Sequence, residues 1–135
     1  MKLIAAKNAP VEKLKNFLES NENVDKNLLL EKGYVVEIKD TIEGCFVMDL
    51  VDNHQDKYWL KQLYITPGAA ASLPVLLETI LALAKEKQAK QVFVHSHQPM
   101  VDVLLEALQF HPQKNDLLED KYPVDKGSWW TYNVS

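Results

Sequence analysis

Tyr64 to Ile80 reads YITPGAAASLPVLLETI. An apolar, strand-like run meets Pro67-Gly68, passes three alanines and opens a long helix at Ser72. Ser72 reads as the helix N-cap, with Pro74 still in the first turn, where a missing N–H is tolerated. So many small side chains at a strand-to-helix junction have two readings. Either they bare the backbone to a ligand, or they let the helix pack closely on the sheet. A helix start carries unpaired N–H donors and a positive dipole end, which would suit an anion.

Working outward, the helix runs to about Gln88. Leu73, Leu76, Leu77, Ile80, Leu83 and Ala84 line one face, and Val75, Leu81 and Ala82 add more apolar surface, so it should be covered on most sides. QVFVHS (Gln91 to Ser96) reads as a buried central strand. Pro99 opens a last helix to about Phe110; His111 to Gly127 reads mostly as loop; the tail SWWTYNVS favours a final strand. Upstream, Leu3 to Ala6 reads as a strand, and Asn8 as the cap of a helix carrying Val11, Leu14, Phe17 and Leu18 on one face. Val24 to Lys32 reads as a shorter helix stopped by Gly33. Tyr34 to Asp40, Cys45 to Val51 and Tyr58 to Ile65 read as an antiparallel three-strand meander, with turns at Ile42-Glu-Gly44 and at DNHQD (Asp52 to Asp56).

The 135 residues suit a single domain, and 47% hydrophobic content suits a packed core. A net charge of −4 argues against nucleic acid and anionic membrane as partners. The fifteen basic residues are all lysine, so any phosphate must be held without a guanidinium fork. Cys45 is alone, which excludes an internal disulfide and fits a reducing compartment. No apolar run reads as a signal peptide or a membrane span, so the expected setting is the cytoplasm.

This order of elements resembles the GNAT fold of acyl-CoA N-acyltransferases, an α+β fold with a mixed, mostly antiparallel sheet flanked by helices. LYITP (Leu63 to Pro67) is similar to the family's fourth-strand ending. LLETILALAKEKQAKQVFV is similar to its main helix and fifth strand, and LLEALQF (Leu104 to Phe110) falls where members carry Tyr-Glu-Lys-Leu-Gly-Phe. The resemblance implies acetyl-CoA as co-substrate and an amine, small or protein-borne, as acceptor. It implies that Leu63, Tyr64 and Ile65 hold the thioester, that Gly68, Ala69, Ala70, Ala71, Ser72 and Leu73 seat the pyrophosphate, and that Gln98 is the nearest equivalent of an Asn that seats the pantetheine. The chain departs from the family's Arg/Gln-x-x-Gly-x-Gly/Ala loop, keeping only Gly68, and has Leu105 where a Tyr general acid often stands.

His95, His97 and Glu37 are the candidate bases. The two histidines flank Ser96 at strand spacing, so they share a side; they are otherwise exposed loop residues, or two ligands of a metal whose remaining ligands are not evident. Glu37 and Asp49 are either carboxylates facing a site or part of a solvated strand face. Cys45 is either a nucleophile or a buried apolar cysteine. Trp129 and Trp130 must point to opposite faces of their strand, so one should lie outside the core, where a homodimer seam would form. The alternative to an enzyme is a GNAT-shaped binding or assembly module without turnover.

Overall fold

The computed structural model describes residues 1–22, 24–51, 56–96, 99–112 and 128–134. The elements are β1 (Lys2–Ala5), a 3-10 turn (Ala6–Asn8), α1 (Val11–Ser20), α2 (Lys26–Lys32), β2 (Gly33–Ile38), β3 (Thr41–Leu50), β4 (Lys57–Ile65), a 3-10 turn (Pro67–Ser72), α3 (Leu73–Glu86), β5 (Gln91–Ser96), α4 (Pro99–Ala107), β6 (His111–Pro112) and β7 (Ser128–Asn133). They divide into two compact units, residues 1–49 with 60–77, and residues 50–59 with 78–135.

In the first unit the strands lie in the order β1-β2-β3-β4. β1 pairs antiparallel with β2, Leu3 opposite Val36, and β2 pairs antiparallel with β3, Val35 opposite Cys45. α1 and α2 bury Leu14, Phe17 and Leu29 against Val35, Cys45 and Val47. That apolar burial is the main force holding these helices to the sheet. Asp25 caps α2, its carboxylate accepting from the Leu28 N–H at 3.2 Å. Asn8 caps nothing: it ends the first 3-10 turn, and α1 begins at Val11 with Pro10 before it.

The β2–β3 turn is not at Ile42-Glu-Gly44. It sits at Lys39-Asp40, both at positive φ (51° and 68°), which is the geometry of a tight two-residue hairpin. Gly44 is instead buried inside β3, where a Cβ would stand 2.7 Å from the Tyr64 carbonyl oxygen of β4. The glycine marks close backbone approach, which a sequence reading takes for a turn. Pairing shifts register beside it: Val36 faces Gly44 while Glu37 faces Ile42, so Glu43 bulges out of the ladder.

In the second unit the order is β5-β7-β6. β5 and β7 are antiparallel, Val94 opposite Trp130, and β7 is also paired to β6. Val51, Phe93 and Trp129 form a cluster with Trp59 packed on it. The two adjacent tryptophans do point to opposite faces, yet both are buried. Trp130 is covered on its own side, its Nε1 donating to the Asp102 carboxylate of α4 at 2.9 Å. Neither ring is left as the exposed surface expected of a seam.

α3 buries Leu76, Leu77, Ile80 and Ala84 but leaves Val75 53% exposed, so it is less covered than its composition suggests. The 3-10 turn and α3 run on as one helical stretch, Pro67–Glu86, whose 20 residues and mean hydropathy of 1.6 reach membrane-spanning length and apolarity, contrary to the sequence reading. Its fully buried leucines and Ile80 are the packed positions of a core helix.

Gly44→Ala should destabilise the protein by about 1–3 kcal/mol, because its methyl meets a backbone carbonyl that cannot step aside. Gly68→Ala, where a Cβ meets nothing within 4 Å, should stay within about 0.5 kcal/mol of wild type or stabilise slightly. Urea denaturation of both variants measures the difference.

Candidate functional site

The end of β4 is held in place by three local devices. Gln62 takes a left-handed φ of 50° within the strand, uncommon for a residue other than glycine. Its Oε1 accepts from the Asp25 N–H at 2.7 Å, and its carbonyl accepts from the Cys45 thiol at 3.6 Å. Its Nε2 is buried without a hydrogen-bond partner among the described residues. Four residues on, the Thr66 N–H donates to the carbonyl of bulged Glu43 at 2.8 Å, and the Thr66 hydroxyl donates to the Glu43 carboxylate. The residue before a proline favours extended backbone, and Thr66 (φ −64°, ψ 150°) obeys.

Pro67 then starts the helical turn, its fixed φ suited to that place. Ser72 is therefore not the N-cap; Thr66 is, without a side-chain cap bond. The Ala69 N–H donates to Thr66 O at 3.0 Å, and the Leu73 N–H donates to Ala70 O. In a 3-10 turn the amides bond three residues back. From Ala69 onward the junction's donors are thus engaged within the chain, whereas the Gly68 N–H precedes that series. Gly68, Ala70 and Ala71 are exposed, while Ala69, Ser72 and Leu73 are half-buried. Among the described residues nothing lies within 4 Å of a Cβ placed on Gly68. The exposed small residues therefore do not serve close helix-to-sheet packing, and they leave room beside the backbone.

Leu63, Tyr64 and Ile65 close β4, all half-buried, with the Tyr64 ring 6.1 Å from Phe17. Glu37 lies on β2, its carboxylate 3.5 Å from the Lys13 ammonium of α1. Asp49, on β3, is gripped by Lys32 and Lys61, each at 3.0 Å. Neither carboxylate is on a simply solvated face: their side chains are 14% and 17% exposed. Burial alone would raise the Asp49 carboxyl, but the two lysine hydrogen bonds and charges outweigh it and hold it below its ordinary value. Such a group stays ionised as an anchor between α2 and β4. Cys45 is fully buried, and burial pushes its thiol up to about 12, so it is no nucleophile at neutral pH.

His95 belongs to the second unit, on β5 opposite Trp129, with the two rings 5.1 Å apart and edge to face. His97 and Gln98 lie outside the described residues, as does the DNHQ segment. Leu105 is fully buried, a core residue of α4. Among the described residues no group of three His, Cys, Asp or Glu is arranged to hold a metal. Sequence reading missed the Glu43–Thr66 clasp, because both partners looked like loop residues; the Thr-Pro dipeptide was the available sign that Thr66 is extended.

No family model matches the chain, and no curated protein does either. Solved structures do. An N-acetyltransferase from Staphylococcus aureus Mu50 aligns with TM-score 0.70 at 11% identity, over 98% of this chain and 96% of its own. A GNAT family acetyltransferase from Elizabethkingia anophelis, solved with acetyl-CoA bound, aligns with TM-score 0.64 at 15% identity over 93% and 91%. N-acetylglutamate synthase from Neisseria gonorrhoeae, complexed with coenzyme A and N-acetyl-glutamate, aligns with TM-score 0.66 at 12% identity over 93% of this chain, which spans 32% of that protein's length. The chain has the α+β fold of the GNAT acetyltransferases.

Because the Asp49 carboxyl is lowered on folding, its stabilisation is complete above its ordinary value of 3.8 and is lost as pH falls through the folded-state value. Asp49→Asn should cost about 0.5–1 kcal/mol at neutral pH, the worth of a partly solvated ion pair, with the deficit vanishing in acid below that value. Thermal melts of both proteins across pH test this. Cys45 should resist an aromatic disulfide reagent in the native state and react fully on unfolding.

Proposed function

We propose that the chain is an acyl-CoA-dependent N-acyltransferase that moves an acetyl group from acetyl-CoA to an amine, in a cytoplasmic setting. The observation that carries this reading is the exposed, small-residue helix start after β4, with open space at Gly68, on a fold whose structural neighbours include proteins crystallised with coenzyme A or acetyl-CoA. The helical stretch starts at Pro67, so its positive end and the Gly68 N–H would meet the pyrophosphate there. Ala69, Ala70 and Ala71 would give it room, and the half-buried Ser72 and Leu73 would border it. The backbone of Leu63, Tyr64 and Ile65 would lie along the thioester, with Gln98 beside the pantetheine.

In the transfer, the amine nitrogen forms a bond to the acetyl carbonyl carbon and the carbon–sulfur bond breaks. The amine must first lose a proton. Glu37 is tied to Lys13 and Asp49 to two lysines, which favours His95 or His97 as the acceptor of that proton. The leaving thiolate takes its proton from solvent, because Leu105 supplies no acid. Acetyl-CoA supplies the activated acyl group; the chain's share is positioning.

The second reading, a GNAT-shaped binding module without turnover, is favoured by the amides already engaged at Ala69 and Leu73 and by the buried Leu105.

Isothermal titration with acetyl-CoA should show saturable heat. Ala70→Trp, at an exposed position, should leave the melting temperature within about 2 °C yet weaken binding at least about tenfold. No heat and no thermal shift at ligand concentrations of about 1 mM would overturn the transferase reading and leave the binding module.

A further inference from the structure

The first unit carries a groove far in character from the β4 junction. It opens between the first 3-10 turn, α1 and α2, with a volume of about 550 Å³, a size typical of small-molecule sites. Its floor is apolar: Ala6, Ala9 and Leu14 are buried, and Leu18 and Leu30 are half-buried. Val11, in the first turn of α1, lines it while 79% exposed. The rim is cationic, with Lys7, Lys15 and Lys26 against Glu19 alone. All three lysines are exposed, and none is ion-paired among the described residues.

That charge runs against the chain's own net charge of −4. The sequence explains how it is built. Val11, Lys15 and Glu19 fall four apart on α1, as do Leu14 and Leu18 beside them, and Lys26 and Leu30 fall four apart on α2, so each helix turns leucine and lysine toward the same space. Lysine stems extend apolar cover along such a wall while their ammonium groups stay in water. An apolar trough of one-ligand size with ammonium groups at its lip selects a molecule with a hydrocarbon body and an anionic head. We propose that this groove binds a medium-chain carboxylate, with the chain laid on Leu14, Leu18 and Leu30 and the carboxylate met by Lys15 and Lys26. The proposal stands apart from acyl transfer at β4, since it uses none of those residues.

Nitrogen-15 NMR titration with octanoate, 1-octanol and acetate tests it. Octanoate should shift the amides of Lys7, Val11, Leu18 and Leu30 saturably. Octanol, with the same tail and no charge, should bind at least about fivefold more weakly, and acetate, with the charge and no tail, should not bind. Lys15→Glu with Lys26→Glu should remove the preference for octanoate while octanol still shifts the same amides, which also reports that the variant is folded. Equal affinity of octanoate and octanol for the wild type, shifts scattered outside the groove, or failure to saturate would overturn the proposal.

Discussion

The close approach of β3 and β4 at Gly44 is the constraint on which the rest of the first unit depends. A Cβ there would sit 2.7 Å from the Tyr64 carbonyl, so only glycine lets the two backbones lie this near. The consequences run outward from that point. Glu43 is squeezed into a bulge, and its carbonyl and carboxylate both reach Thr66. Thr66 is held extended, Pro67 begins its helical turn immediately, and Gly68, Ala70 and Ala71 are left facing solvent. On β4 itself, Gln62 meets the start of α2, its Oε1 accepting from the Asp25 N–H. The end of β4 is thus tied to Glu43 of β3 on one side and to the start of α2 on the other.

Polar groups around this core do different work from what their residue types first suggest. Asp49 and Glu37 have the look of bases but are paired to lysines on neighbouring elements, and at Asp49 the two lysines hold the carboxyl below its ordinary value. Cys45 has the look of a nucleophile but is a buried thiol turned toward a strand carbonyl. What stays open is the backbone at Gly68 and the small side chains of Ala70 and Ala71, which would act on a ligand by room and by the helix's positive end.

Much of the fold was legible because its signals are periodic. The apolar stripes of α1 and α3, the alternation in β2 and the tail strand all follow from where leucine, valine and aromatic residues recur. The misread points are those where a residue's local habit loses to a tertiary contact. Gly44 reads locally as a turn residue although it admits a neighbouring strand, while Lys39 and Asp40 make the turn at positive φ without a glycine. Ser72 reads as a cap because its hydroxyl precedes the apolar periodicity, whereas the helical stretch has already begun at Pro67. The burial of both tryptophans could not be read either: β7 is a paired strand, and Asp102, 28 positions away, meets the second indole.

The candidate site was legible as a position and less so as a set of donors. Residues 63–73 stood out by their small side chains and their place after a strand. Which amides remain available depends on helix type, and a 3-10 turn spends its amides earlier in the chain than the loop implied by the family resemblance. The most direct test is a crystal structure grown with coenzyme A. A pyrophosphate oxygen within hydrogen-bonding distance of the Gly68 N–H, beside Ala70, is the result this account predicts. Coenzyme A bound away from Pro67–Ser72, or no bound nucleotide at saturating concentration, would contradict it.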